Sequence, residues 1–413
     1  MLHLLKNHEF FESVTLSVAV MLFAGFLVTR ITKKLKMPNV TGYIFAGILI
    51  GPYALNLIPQ RIVSGMSFLT DAALAFIAFG AGRYFKISSL KEHGVRTLVI
   101  TAFEAITAAA LIALAMIYVF RLPAAFSILL GSIGCATAPA STLMTIRQYH
   151  AKGDFVNTII EVVALVDAIA LIAFSISAAV ATNLNDGGAF SLDVAVKPVL
   201  LNFAAIALGV LFGALLNLFI NENRSYDHRL VLAIASIFSL TGFCTAVDIS
   251  PLLACMAFGA AYVNISGNQD LFRSVNGFTP PILLMFFVLS GMSLDLPSLK
   301  VAGVIGIGYF LIRIIGKSLG AYVGASLVHA PAATRKYLGL ALIPQAGVSI
   351  GLAALGQRIL PENLGTLLST IILSSAVLYE LIGPASAKAS LFLSGTIAAG
   401  SVPGRAAAPE SDG

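Results

Sequence analysis

The stretch FVNTIIEVVALVDAIALIAFSISAAVAT, residues 155–182, is apolar throughout except for a few small polar side chains and two carboxylates, Glu161 and Asp167. A run of about 18 or more apolar residues is long enough to cross a bilayer as a helix. Asp167 then lies near mid-depth, where a carboxylate costs roughly 3 kcal/mol on the insertion scale and more by simulation. A chain keeps such a group when it carries a proton or an ion, or when it pairs with a buried cation.

The rest of the chain has the same character. Of its 413 residues, 58% are hydrophobic and 11% charged, and the mean hydropathy is +0.94. A soluble domain carries about a quarter charged residues. Apolar runs recur at about 12–29, 40–58, 67–85, 95–120, 123–146, 155–182, 196–220, 228–247, 249–266, 279–294, 300–328, 335–359 and 364–392. They predict an all-α polytopic membrane protein of thirteen spans with short connections. The first run is expected to be a retained helix, because Glu9 and Glu12 precede it and no cleavable leader pattern does. Residues 394–413 are expected to form a disordered cytoplasmic tail.

Composition also excludes several classes. The net charge of +6 comes from basic residues in short loops, which orient a membrane protein and do not point to nucleic acid. Cys135, Cys244 and Cys255 sit inside apolar runs without pairing or ligand spacing, as small apolar fillers do. There is no nucleophile elbow, metal-ligand cluster or phosphate loop, so neither an enzyme nor a cofactor nor a metal is expected.

Loop charges orient the chain. Of 25 Lys and Arg residues, seventeen fall in one set of alternate loops and six in the other, with Arg313 and Lys317 inside a span. The positive-inside rule places the N-terminus outside and the C-terminus in the cytoplasm. The chain also repeats itself: Gly82-x7-Leu90-Lys91 recurs as Gly291-x7-Leu299-Lys300, 209 residues later. Thr137-Ala138-Pro139-Ala140 and Pro344-Gln345-Ala346-Gly347 bring prolines into two spans 205 residues apart. Six spans, a connector and six more predict two inverted six-helix repeats.

Such transporters place their sites beside helices broken by proline or glycine. Pro139 and Pro344 each remove a helical N–H, and Thr137, Ser141, Gln345 and Ser349 beside them can offer oxygens to a dehydrated cation. Taken singly, either proline reads as a simple kink; the symmetric pair beside Asp167 favours a site. Glu104, Glu161, Asp167, Arg313, Lys317 and, nearer a span end, Glu380 are the ionisable residues within spans, with Asp71 close to the start of another. Arg313 and Lys317 are four apart and share a helical face. The repeat offset makes Glu104 and Arg313 equivalent positions, which suggests a structural ion pair; Glu161 is the other candidate partner for Arg313. Glu161 precedes Asp167 by six residues, about 240° around a helix, so the two face different ways.

The run Lys36-Met-Pro-Asn-Val-Thr-Gly-Tyr-Ile-Phe-Ala-Gly-Ile-Leu-Ile-Gly-Pro52 resembles the second-helix signature of the CPA2 family of monovalent cation/proton antiporters. The stretch from Phe76 to Leu90, the Asp167 segment and Ile315-Gly316-Lys317-Ser318-Leu319-Gly320 resemble that family's next helix, ion-binding helix and lysine-bearing helix. The similarity extends over about residues 12–392. It implies an NhaA-like antiporter fold with crossed broken helices, and a homodimer in a prokaryotic inner (plasma) membrane. Panel helices would lie in 1–94 and 228–298, core helices in 95–195 and 299–393, and a connector in 196–227. The core would slide against the dimerising panel in elevator fashion, exchanging Na⁺ or K⁺ for protons. Asp167 would be the carboxylate that binds either ion, Lys317 its releasable salt-bridge partner, and Thr137 with its neighbours the ligands on the crossing helix. Relatives commonly carry Asp, Asn or Gln immediately before the essential Asp; Val166 stands there instead and removes a polar ligand or a second titrating group.

An alternative is a proton- or sodium-coupled carrier of an anion, favoured by the positive Arg313–Lys317 face and by Val166. A membrane sensor without transport is a weaker third reading.

Overall fold

The computed structural model describes residues 13–34, 39–85, 87–138, 142–143, 145–146, 149–185, 192–220, 225–247, 249–267, 269–294, 299–345 and 347–397. Among these, every regular element is helical. In chain order they are α1 (Val14–Lys34), α2 (Asn39–Ile50), α3 (Gln60–Gly65), α4 (Ser67–Gly82), α5 (Ile87–Tyr118), α6 (Ala124–Cys135), α7 (Asp154–Asn185) and α8 (Leu192–Phe219). They continue as α9 (Tyr226–Ala246), α10 (Pro251–Ser266), α11 (Asp270–Phe278), α12 (Pro280–Met292), α13 (Leu299–Leu327), α14 (Ala332–Ala341), α15 (Gly347–Ile359) and α16 (Glu362–Leu393).

Six of these are long and apolar enough to cross a bilayer: α1, α7, α9 and the greater part of α5, α8 and α13. Two bent pairs raise the number to eight, namely α11 with α12, bent by 49°, and the halves Glu362–Tyr379 and Leu381–Leu393 of α16, bent by 48°. The second bend has a local cause. Pro384 cannot donate to the carbonyl four residues back, at position 380, and its ring crowds that carbonyl.

Three expected spans are shorter or split. The run 40–58 is helical only to Ile50, where Gly51-Pro52 turns the chain, because the residue before a proline is pushed out of the α region. The run 123–146 gives α6, which stops at Cys135, and 335–359 divides between α14 and α15.

Close crossings replace large side chains with glycine. A Cβ on Gly47 of α2 would lie 2.1 Å from Val288 O of α12, and one on Gly291 of α12 would lie 2.2 Å from Ile44 O of α2. The same contact recurs between α4 and α10, where a Cβ on Gly82 would sit 2.4 Å from Met256 O and one on Gly259 2.2 Å from Phe79 O. The most extensive helix pair is α5 with α13. There Gly316, Gly320 and Gly324 bring α13 so near that added Cβ atoms would stand 2.8 Å from Ala108 Cα, 2.6 Å from Phe103 O and 2.9 Å from Ile100 Cα. In lipid, where hydrophobicity does not drive helices together, such small-residue seams carry the association. The outward faces remain apolar, with Phe23, Leu27 and Ile31 on α1 and Ile307, Leu311 and Ile315 on α13 exposed.

Candidate functional site

The site begins where two helices stop. Helix α6 ends at Cys135 and Ala136 is extended, with φ −60° and ψ 145°. Ala138 precedes Pro139, which disfavours helix at that point. Helix α14 ends at Ala341 and regular helix resumes at Gly347, past Pro344. The two extended segments meet, and the Ala138 amide donates to Pro344 O at 2.8 Å. Pro139 and Ser141 lie outside the described residues.

A helix C-terminus leaves carbonyls without intrahelical partners, and inside a membrane each must find another donor. Those of α6 find theirs on α13 and beyond α14. Arg313 Nε donates to Gly134 O at 2.8 Å and Nη2 to Ala136 O at 2.6 Å, while Nη1 reaches Ile343 O of the second break at 2.7 Å. Gln345 Nε2 donates to Ile133 O at 3.1 Å and exchanges hydrogen bonds with the Tyr309 hydroxyl. Around α14, Ser386 caps Leu340 O at 2.7 Å and Thr142 caps Ala341 O at 2.9 Å. The fully buried guanidinium also lies 4.5 Å from the centre of the Tyr379 ring. A guanidinium fits this place, because its planar fork meets several carbonyls at the negative ends of broken helices.

Lys317, one turn further along α13, is fully buried as well. Its ammonium pairs with Glu104 of α5 and donates to Cys135 O and Thr137 Oγ1, both at 2.8 Å. An ammonium has three N–H donors, and all three are taken.

These pairings correct the sequence-based expectation. Glu104 binds Lys317 and not Arg313, because the α5–α13 seam sets Glu104 against the glycine-flanked turn that carries Lys317. Glu161 accepts a hydrogen bond from Thr97 at 2.8 Å, on a different face of α7 from Asp167. Arg313 reaches carbonyls and the Tyr379 ring, with no salt bridge to a carboxylate among the described residues. The polar atoms of Gln345, expected to face a cation, hold Ile133 and Tyr309 instead. The positive face that favoured an anion carrier is therefore spent on helix carbonyls and on Glu104.

Asp167 is 3% exposed on α7. The backbone of Thr137 lies beside its carboxylate, and the Thr137 hydroxyl accepts from Lys317. The carboxylate oxygen Oδ1 has no hydrogen-bond partner among the described residues. Asp167 opens instead on a narrow apolar space bounded by Leu74, Ile77 and Ala78 of α4, Met256 of α10 and Val348 of α15. Val166 packs in a fully buried cluster with Ala105, Cys135 and Ala136.

A second cavity, of about 310 Å³, lies between α3, α4 and α12 on one side and α15 and α16 on the other, with Ser64, Thr70, Ser290, Gln357 and Ser369 among its lining. Arg358 of α15 meets Asp71 of α4 across this region at 3.2 Å, both half-exposed. The cavity reaches Ile350, and Leu74, which borders the Asp167 space, packs onto Gly351 next to it.

The match to the sodium/hydrogen exchanger transmembrane family covers residues 18–386. The chain belongs to that family. This exchanger-family chain is 24% identical over 380 residues to the K⁺ efflux antiporter 2, chloroplastic, of Arabidopsis thaliana, covering 87% of its own length and 32% of the relative's. It thus spans about a third of that plant protein. It is 21% identical over 393 residues to the K⁺/H⁺ antiporter subunit KhtU of Bacillus subtilis, covering 93% and 94% of the two chains. In fold it is similar to the sodium proton antiporter MjNhaP1 of Methanocaldococcus jannaschii, with TM-score 0.73, 19% identity and coverage of 91% and 97%.

Tyr309, Tyr379 and Thr97 do not stand out in the sequence. Tyr309 carries a usable signal, since Tyr309, Arg313 and Lys317 recur every four residues on one face of α13. Tyr379 and Thr97 carry none, because their partners lie on other helices.

Proposed function

We propose that this family member exchanges a monovalent cation, Na⁺ or K⁺, for protons, with Asp167 as the carboxylate that binds one or the other. The observation that carries the reading is the placement of Asp167. It is buried beside Thr137 at the first helix break, its Oδ1 has no hydrogen-bond partner among the described residues, and the residue borders the apolar space between α4, α10 and α15. A buried carboxylate is tolerated neutral or paired, not as a bare anion. Proton and cation therefore compete for the same oxygens, and either neutralises the group. Thr137 at the first break adds an oxygen to the cation's ligands, and Ser141, outside the described residues, is the further ligand that the sequence offers. Relatives named as potassium antiporters and as sodium antiporters both resemble this chain, which leaves both cations in the reading.

The wider architecture follows as part of the proposal. Thirteen spans form two inverted six-helix repeats, and the paired crossings Gly47–Gly291 and Gly82–Gly259 support this, since one contact made twice is what a pseudo-two-fold axis produces. The core comprises α5–α7 and α13–α16, and the panel α1–α4 and α9–α12, with α8 between. The core slides against the panel when Asp167 is neutralised, the N-terminus lies outside, and panels pair into a homodimer in a prokaryotic inner membrane.

The test is Asp167→Asn in proteoliposomes. The variant keeps wild-type thermal stability and loses cation-driven proton movement with Na⁺, K⁺ and Li⁺ alike. Undiminished exchange in that variant would remove Asp167 from the mechanism.

A further inference from the structure

We infer that the core moves on two glycine hinges, Gly94 in α5 and Gly303 in α13, and that Asn264 of α10 fixes the panel side of the first. The inference rests on the sliding core of the antiport reading above and names the residues at which the chain bends.

The chain passes from panel to core between α4 and α5. Helix α4 packs most extensively on α10, whereas α5 packs on α13, α6 and α7. At this crossing the Asn264 side chain holds the link on both sides. Its Oδ1 accepts from the Ile87 amide at 2.8 Å, and its Nδ2 donates to Phe85 O at 2.6 Å and to Ala260 O of its own helix at 2.7 Å. The first amides of a helix have no partner within it, so Asn264 caps α5 from a panel helix. Close beside it, Gly82 and Gly259 bring the backbones of α4 and α10 together. The start of α5 is thereby tied to the panel, and any bending falls further along that helix.

Gly94 stands about two turns beyond the tie, and the internal repeat runs on through it. Leu90-Lys91-x2-Gly94-Val95 recurs as Leu299-Lys300-x2-Gly303-Val304, again 209 residues later. Both helices that lead into the core therefore carry glycine twelve residues after the crossing glycines Gly82 and Gly291. Packing does not demand it at Gly303, where a Cβ would meet nothing within 4 Å, in contrast to Gly316, Gly320 and Gly324 of the same helix. The neighbouring Val95 and Val304 are 80% and 69% exposed, so neither turn is gripped all round by other helices. Glycine is the poorest helix former after proline. Where no close approach requires it, what it supplies is backbone freedom.

The experiment measures exchange kinetics in proteoliposomes with Na⁺ or K⁺, alongside thermal melts of the same variants. Gly94→Ala and Gly303→Ala each lower the maximal rate about fivefold, which is the helix-propensity difference between the two residues expressed as a rate. The half-saturating cation concentration is unchanged and the melting temperature does not fall. In an Asn264→Ala background the link itself can flex, so Gly94→Ala no longer slows exchange while Gly303→Ala still does. Wild-type rates in both glycine variants overturn the inference and leave antiport intact. So does slower exchange accompanied by a lowered melting temperature, which assigns the glycines to packing. An equal effect of Gly94→Ala with and without Asn264 overturns the role given to Asn264. Absence of exchange by the wild-type chain with either cation overturns the antiport reading and this inference together.

Discussion

Glu104 and Lys317 show how much one residue's surroundings decide. Each charge alone would be prohibitive at zero exposure, and together they are tolerable because each satisfies the other. Glu104→Gln leaves a buried ammonium without its counter-charge and is expected to cost about 3–5 kcal/mol. A large fall in the melting temperature of detergent-solubilised protein is the measurement, and the double variant with Lys317→Gln should recover a substantial part of it. If the single variant melts like the wild type, the pair is not holding the seam. The identities of the buried ionisable residues were legible in the chain. Their pairing was not: Glu104 and Lys317 are 213 residues apart, and a partner is set by the rotation of two helices about their axes. The repeat offset pointed to Arg313, one turn from the residue that actually meets Glu104.

Among the elements, the α5–α13 seam makes the sharpest demand on sequence. Gly320→Ala places a methyl 2.6 Å from Phe103 O, and backbone cannot yield as a flexible side chain does. Overpacking of this kind costs about 1–3 kcal/mol. Gly303→Ala on the same helix meets nothing within 4 Å and is expected to be neutral or to stabilise by up to about 1 kcal/mol, through helix propensity alone. Thermal melts of the two variants side by side give the comparison, and equal behaviour would contradict the tight seam. The four-residue spacing of Gly316, Gly320 and Gly324 is common to small-residue packing in membrane helices. It could not say which partner the glycines meet or that Lys317 lies between two of them. The breaks are different, because proline acts through its own covalent structure. Pro344 and Pro384 interrupt or bend their helices wherever the tertiary fold places them.

For the whole molecule, the Asp71–Arg358 pair joins α4 to α15 beside the larger cavity. If the units carrying those helices slide past each other, the pair must separate in every cycle. Its half-exposed position makes it weak enough to do so. Cysteines placed at Asp71 and Arg358 and joined by a short bis-methanethiosulfonate should stop exchange, and reduction should restore it. The native Cys135, Cys244 and Cys255 are buried and give a low background. Exchange that continues at full rate in the crosslinked protein would rule out sliding along this boundary.

The sequence by itself determined the solvent of this protein and the chemistry available to it. Uninterrupted apolar runs have no stable home in water, and a few carboxylates and cations inside them are too costly to be incidental. It also marked where helices break, since proline lacks the N–H that a helix needs. Only the tertiary structure decided how the charges are shared. Arg313 went to the carbonyls that the breaks release, Lys317 to Glu104, and Asp167 was left with one oxygen free. The physical reason is one of range. Hydropathy and backbone restriction act within a few residues, whereas a buried charge answers to whichever donor or acceptor the packing of distant helices brings within about 3 Å.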